Sequence, residues 1–341
     1  MDTGRLTGLI VSLADARGVS GDESAVCELT ADIMRGYTDR VEIKNGNVLA
    51  HFGTRGDKPH VLIDAHLDRV GLVVTEVRDD GFVSADTVGG LDMRICPAQR
   101  VVIHGRKDIK GVIATLPPHL TKEKSVMKKE KLFIDTGLSG EVLSGYVSQG
   151  DSISFDSPVK RLQGSRICGA ALDDRCGIAT IIKAVDDLDG QYDLPYSFTV
   201  MFSAQEELGE RGACIGAYDI EPDIAIAVDV SFALSGGESP RKCGNMGGGC
   251  MIGLAPSLDM ALGRAFIKYA ADNSIPFQTE VMSGTTGTNA DRFSVNKGGA
   301  RALTLSIPLR YMHTPCEVID VSDCENTAGF ITAFLRGDIN G

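Results

Sequence analysis

The chain has 341 residues, 43% of them hydrophobic and 23% charged, which describes a folded globular protein with room for one large domain or two ordinary ones. Its net charge of −12 is offset by no basic run, which argues against a nucleic-acid or membrane partner. Nine cysteines without a CxxC pair suit reduced thiols better than a disulfide framework, so a cytoplasmic location is expected.

In chain order, the apolar run in "LTGLIVSLADARG" reads as helical; it is too short for a membrane span and lacks a cleavage site. A helix start at "SGDES" and strand-like "RVEIKNGNVLAHFG" and "HVLIDAH" follow. From residue 69 to 161 the pattern changes to short β-type runs separated by Gly and Asp turns, as in "RVGLVVTEV", "GFVSADTV", "QRVVIHG" and "DSISFDSPV". That spacing predicts a small barrel or sandwich. Lys122 to Lys131 alternates Lys with Glu and reads as a solvated loop or helix edge. From 162 onward strands alternate with helices, through "CGIATIIKAVDDL", "YSFTVMFSA", "DIAIAVDVS" and "LDMALGRAFIKYAADN". The expected fold is therefore α/β, a mixed sheet flanked by helices. Residues 1–68 and 162–341 are expected to form one α/β domain, interrupted by 69–161 as an inserted β-rich unit.

The buried runs of the α/β part end on residues that bind metals. "VLIDAHLD" carries His66 and Asp68, "GAALDDRCG" carries Asp173 and Asp174, "FTVMFSAQEE" ends on Glu206 and Glu207, "IAIAVDVS" holds Asp229, and "IPLRYMHTPCE" holds His313. In open α/β sheets the C-terminal strand ends form the ligand crevice, so these five segments are expected to converge. Taken singly, Asp173 or Asp174 would serve as a helix N-cap and His66 as a structural histidine. His51, His60, His104 and His119 read as surface or loop residues.

Two histidines with three carboxylates make a mixed nitrogen and oxygen set, suited to zinc or cobalt rather than magnesium or calcium. Five ligands exceed one catalytic zinc but suit two cations, roughly 3.5–4 Å apart, that share a bridging carboxylate and activate a water. One of the adjacent glutamates can then ligate while the other takes the proton of that water. Asp68 has the reach to orient the His66 ring.

The ordered motifs "AHLDRVG", "GAALDDRCG", "SAQEELGERGA", "AVDVS", "GTTGTNADRF" and "IPLRYMHTPCE" resemble the M42 family of metallo-aminopeptidases. "ARGVSGDESAV" and "KLFIDTGLSGEVL" extend the likeness over nearly the whole chain. The resemblance implies an exopeptidase with two divalent ions, zinc or cobalt, acting on peptide substrates. It implies that His66 and Asp229 hold one ion, Glu207 and His313 the other, and Asp173 both. Glu206 would be the general base, and Asp68 would orient His66. It further implies a homo-oligomer, dimer-based and in family members often a tetrahedral dodecamer, assembled through the inserted unit.

Two positions depart from the family pattern, Arg69 in place of Glu and Phe232 in place of His. Arg69 reads first as an exposed ion-pairing residue, and second as a partner for an acidic side chain or a peptide carboxylate. "SGTTGTNADRF" offers backbone amides for an oxyanion, and "NMGGGCMIG" reads as a turn or a pocket lining. The alternatives are another metal-dependent amidohydrolase, such as a deacylase, and a glycoside hydrolase. The latter is disfavoured by 6% aromatic content without tryptophan.

Overall fold

The structure is a computed structural model and describes residues 1–117, 119–120, 131–237, 239 and 242–339. The stretch from Lys122 to Lys131 lies outside the described residues except for its last lysine.

The N-terminal pattern forms α1 (Thr3–Asp15) and α2 (Ser24–Met34). Asp2 caps α1 by accepting the Arg5 amide, one of the donors a helix start leaves open. Strands β1 (Val41–Lys44) and β2 (Asn47–Phe52) make a hairpin around Asn45 and Gly46. Both turn residues have positive φ, as a two-residue hairpin requires. Strand β3 (His60–His66) follows and is buried throughout.

Six strands then close into a barrel: β4 (Gly71–Val77), β5 (Phe82–Val88), β6 (Arg100–His104), β7 (Asp108–Ile113), β8 (Phe133–Asp135) and β9 (Ser152–Phe155). Their order around the barrel is β4-β5-β8-β7-β6-β9. The alternation on β7 shows why it closes: Ile109, Gly111 and Ile113 point inward while Asp108, Lys110 and Val112 face out. A short helix, α3 (Gly140–Leu143), precedes β9.

The chain returns to the large sheet with β10 (Lys160–Arg161) and β11 (Arg166–Gly169). Next come α4 (Leu172–Asp187), β12 (Ser197–Ser203), α5 (Arg211–Ile220) and β13 (Ile224–Phe232). The remaining elements are β14 (Cys250–Leu254), α6 (Met260–Asp272), β15 (Phe277–Val281), α7 (Ala290–Phe293), β16 (Arg301–Arg310), β17 (Glu317–Asp320) and α8 (Val321–Arg336). Among the described residues eleven strands form this mixed sheet, in the order β1-β2-β12-β3-β13-β16-β17-β11-β10, with β14 on β16 and β15 on β14. The expected α/β fold with a small β-unit is therefore what the chain adopts, and that unit is a barrel.

At the sheet centre β12, β3, β13 and β16 are mutually parallel, so their C-terminal ends meet at one edge. The pleat sorts side chains between two cores. Val61, Ile63 and Ala65 of β3 join the larger core, and Leu62 joins the smaller one on the opposite face. Asp64 and His66 share the parity of Leu62, and Asp229 shares that of Ala225 and Ala227 on β13. Helix α4 is buried almost all round because it packs against α1, α8, β3 and β13 together.

Two of the histidines read as surface residues are buried instead. The His60 ring lies 2.8 Å from Ser197 Oγ and 2.9 Å from Thr199 Oγ1, and the His104 ring 2.9 Å from both Asp108 and Ser154. Their partners lie mostly on neighbouring strands, which local sequence does not reveal. His51 is half-buried and His119 exposed.

The larger core includes Phe198, fully buried and stacked on Phe52 with ring centroids 4.6 Å apart. Phe198→Ala should therefore cost about 3–5 kcal/mol. Denaturant unfolding of the variant measures this, and a loss under about 1 kcal/mol would contradict the packing described.

Candidate metal centre

The sheet register brings the sequence-picked residues together. Residue Val61 pairs with Ile224, and the same offset sets His66, the last residue of β3, beside Asp229 of β13. His66 Nε2 lies 3.1 Å from Asp173 Oδ1 and 3.9 Å from Asp229 Oδ1. The second oxygen of Asp173 lies 3.2 Å from His313 Nε2, which is itself 3.1 Å from Glu207 Oε1. Asp173 thus sits between two imidazoles, one to each oxygen. His66, Asp68, Asp173, Asp174 and Asp229 are buried, and Glu206, Glu207 and His313 are half-buried.

Backbone carbonyls turn both rings inward. His66 Nδ1 donates to the carbonyl oxygen of Asp68 at 3.1 Å, and His313 Nδ1 to that of Gly90 at 3.1 Å. A carbonyl only accepts, so each Nδ1 carries the hydrogen and each Nε2 is left for a cation. The Asp68 carboxylate stands farther from the His66 ring, at 3.5 Å. Its two oxygens instead accept the amides of Glu206 at 2.9 Å and Glu207 at 3.1 Å.

Glu317 plays the same part across the site. It accepts the amide of His313 at 2.9 Å and that of Asp173 at 3.1 Å. Asp174 points away from its neighbour, accepting the amides of His66 at 3.3 Å and Gly177 at 3.2 Å. Three of these segments turn through left-handed backbone, at Ala171 (φ 61°), Gln205 (φ 55°) and His313 (φ 60°). Such conformations are costly for residues with a Cβ and cluster at functional sites.

Crowded negative charge defines the electrostatics. Burial pushes Glu206 up to about 9, and the charges of Asp229 and Glu207 add to the shift. Burial likewise pushes Asp229 up to about 8, with Asp173 and Glu207 contributing, and raises Asp174 well above the carboxylate range. Asp173 is the exception: burial opposes its charge, but His313 and His66 hold it below the usual range. Burial also disfavours the imidazolium ions. The Asp173 and Asp68 contacts nevertheless raise His66 well above its ordinary value, and Asp173 and Glu207 take His313 up to about 11.

The donor set fits cations. Single donor atoms of His66, Asp173 and Glu207 lie within 4.8 Å of one another, as do those of His66, Asp174 and Asp229. Mixed nitrogen and oxygen sites of this kind suit zinc or cobalt. A divalent ion would also offset the like charges that drive these carboxyls toward protonation.

Several features were not visible in sequence. Glu317 accepts backbone amides and Gly90 a ring nitrogen that folding brings near, and Asp64 accepts from Asn289 Nδ2 at 2.6 Å and Ser203 Oγ at 3.2 Å beneath the site. The amides of Thr286 and Gly287 in "SGTTGTNADRF" donate to Asp291, so those two are engaged within their own loop. In "NMGGGCMIG" the amides of Gly247 and Gly249 are pinned by Asp323 of α8. Phe232 is exposed. Arg69, in the connection from β3 to the barrel, is buried rather than exposed and makes no ion pair with any described residue.

Protonated ligands must lose their protons to a metal. Zinc or cobalt added to the metal-free protein in weak buffer should release protons, and affinity should rise with pH. Indicator titration reads the first and calorimetry at several pH values the second; pH-independent binding would contradict the electrostatics above.

Comparison with known proteins agrees with this geometry. The family model described as M42 glutamyl aminopeptidase matches residues 46–330. A lysyl aminopeptidase of Pyrococcus furiosus is 32% identical over 337 residues, covering 96% of each chain. Among solved structures, an aminopeptidase from the archaeon Desulfurococcus kamchatkensis superposes with a TM-score of 0.92 at 32% identity, covering 99% of this chain and 98% of that one. The Pyrococcus horikoshii TET1 peptidase, described as able to assemble into a tetrahedron or a large octahedral shell, gives 0.86 at 29% identity, covering 97% and 99%. Motifs, fold and likeness over nearly the full length place this chain in the M42 aminopeptidase family.

Proposed function

We propose that this M42 aminopeptidase removes N-terminal residues from peptides with the help of two divalent cations, zinc or cobalt. The observation that carries the reading is the Asp173 carboxylate, with one histidine Nε2 at 3.1 Å and another at 3.2 Å on its two oxygens. His66 and Asp229 would hold one cation, Glu207 and His313 the other, and Asp173 would touch both. Bound there, the cations would polarise the scissile carbonyl and lower the pKa of a water.

Glu206 supplies the base. It adjoins Glu207, and Asp68 accepts the amides of both residues. Its carboxylate takes the proton of the attacking water and returns it to the leaving amine. With no cation beside it, burial and the charges of Asp229 and Glu207 push Glu206 up to about 9, and two bound cations would offset those charges and leave Glu206 the carboxylate a base must be. His66 and His313 stay oriented because their Nδ1 hydrogens are tied to carbonyls.

Residues 69–161 are proposed as the unit through which a homo-oligomer forms. Exposed Val112, Leu116 and Val142 on this insertion support that role. Among the described residues no helix is long and apolar enough to cross a membrane. Among the described residues no disulfide joins any of the nine cysteines, which supports a reducing, cytoplasmic setting.

Glu206→Gln should lower turnover of aminoacyl p-nitroanilides and short peptides by about 10²–10⁴-fold with metal content unchanged. Near-normal activity in that variant would reject Glu206 as the base. EDTA should abolish the wild-type activity, whereas a carboxylate glycosidase or a metal-free hydrolase would keep working in it. Light scattering of the full chain should give a mass of several protomers; a monomer would reject the assembly role of the barrel.

A further inference from the structure

A buried cation stands beside the metal centre without a partner. Arg69 is 7% exposed, yet its guanidinium makes no hydrogen bond and no ion pair with any described residue, and its Nε is wholly covered. Native structures rarely leave a buried charged donor in that state, because desolvation is then uncompensated. Nearby Arg175 shows the ordinary arrangement, with its guanidinium donating to the carbonyls of Leu13 at 2.7 Å and Gly18 at 3.3 Å.

The acids nearest in electrostatic terms are already engaged. Glu317 accepts two backbone amides, and Asp15 accepts the amide of Val159 at 2.9 Å. Arg69 lines a cavity of about 10 Å³ together with Asp173, Glu207 and His313, so the side chain borders the space where substrate reacts. That volume admits about one water-sized group, such as a carboxylate oxygen. Glu317 and Asp15 act on the guanidinium only through their charge, whereas a carboxylate oxygen in the cavity would give it both a hydrogen-bond acceptor and a negative charge at contact.

We propose that Arg69 binds a carboxylate that the substrate brings to, or forms at, the metal centre. This rests on the aminopeptidase reading and deepens it. Two sources share the chemistry: the α-carboxylate of the released amino acid, and an acidic side chain on the N-terminal residue.

The test compares three ligands by calorimetry on the metal-loaded full chain. L-leucine carries only the α-carboxylate, (S)-4-amino-5-hydroxypentanoic acid only the side-chain carboxylate, and L-leucinol neither. At least one carboxylate ligand should bind the wild type about tenfold or more tighter than L-leucinol. That advantage should largely vanish in Arg69→Met and Arg69→Gln and be partly kept in Arg69→Lys, and the favoured ligand names the source. The idea fails if the wild type shows no carboxylate preference, or if both neutral variants keep it. Because the Arg69 guanidinium has no hydrogen-bond or ion-pair partner among the described residues, the unliganded Arg69→Met protein should unfold at the wild-type temperature or above it. A lower midpoint with the preference intact would make Arg69 structural and overturn the proposal. Lack of N-terminal cleavage by the wild type would instead reject the aminopeptidase reading, which the binding comparison does not measure.

Discussion

The Asp173 carboxylate between two imidazoles is the interaction around which the catalytic core is arranged. Its oxygens face His66 at the end of β3 and His313 beyond β16, so one short side chain joins two strand ends. That is possible because Asp173 sits at the start of α4, a helix buried against the sheet and two other helices. Around it the acids are too many for the two histidines. Asp174, Glu206, Glu207 and Asp229 are all raised by burial and by one another, and only added positive charge relieves that repulsion.

Two further carboxylates act on the backbone rather than on the ligands' side chains. Asp68 gathers the amides of Glu206 and Glu207, and Glu317 those of Asp173 and His313. Each fixes two site residues that come from the same or from distant parts of the chain. This matters because Gln205 and His313 stand in left-handed backbone, a conformation that persists only where surroundings over-determine it. The amides are satisfied, and the residues of the site lose backbone freedom. Pre-organisation of this kind is what a metal site needs from the groups behind its ligands.

The residues that meet at the site were legible in sequence because buried apolar runs in an α/β pattern end at a common edge. The parallel quartet β12, β3, β13 and β16 is the physical reason. The supporting residues were not legible. Glu317 reads as one more acid after a proline, and Gly90 as part of a turn, until folding sets an amide or a ring beside them. Asp68 has the reach, from its place in the sequence, to orient the His66 ring. In the structure the nearer acceptor is its carbonyl, while the carboxylate serves the glutamate pair. Arg69 is buried where its sequence reads as exposed, since exposure is a tertiary property.

The barrel belongs to the site as well as to the surface. The chain leaves β3 at His66 and enters β4 at Gly71, so Asp68 and Arg69 lie in the connection itself. After β5 the barrel comes back: Gly90 gives its carbonyl to His313, and its neighbour Gly89 packs on Glu207. A Cβ at Gly90 would lie 2.9 Å from His313 Nδ1, and one at Gly89 would lie 3.3 Å from Glu207 Cβ, so larger residues would push the ring and the acid aside. Glu207 and His313 are thus held from the barrel side, while His66 and Asp229 are held within the sheet. The two halves of the centre keep their spacing only as long as barrel and sheet keep theirs. An insertion that also made contacts between subunits would therefore couple assembly to the geometry of the metal site, with no further element required.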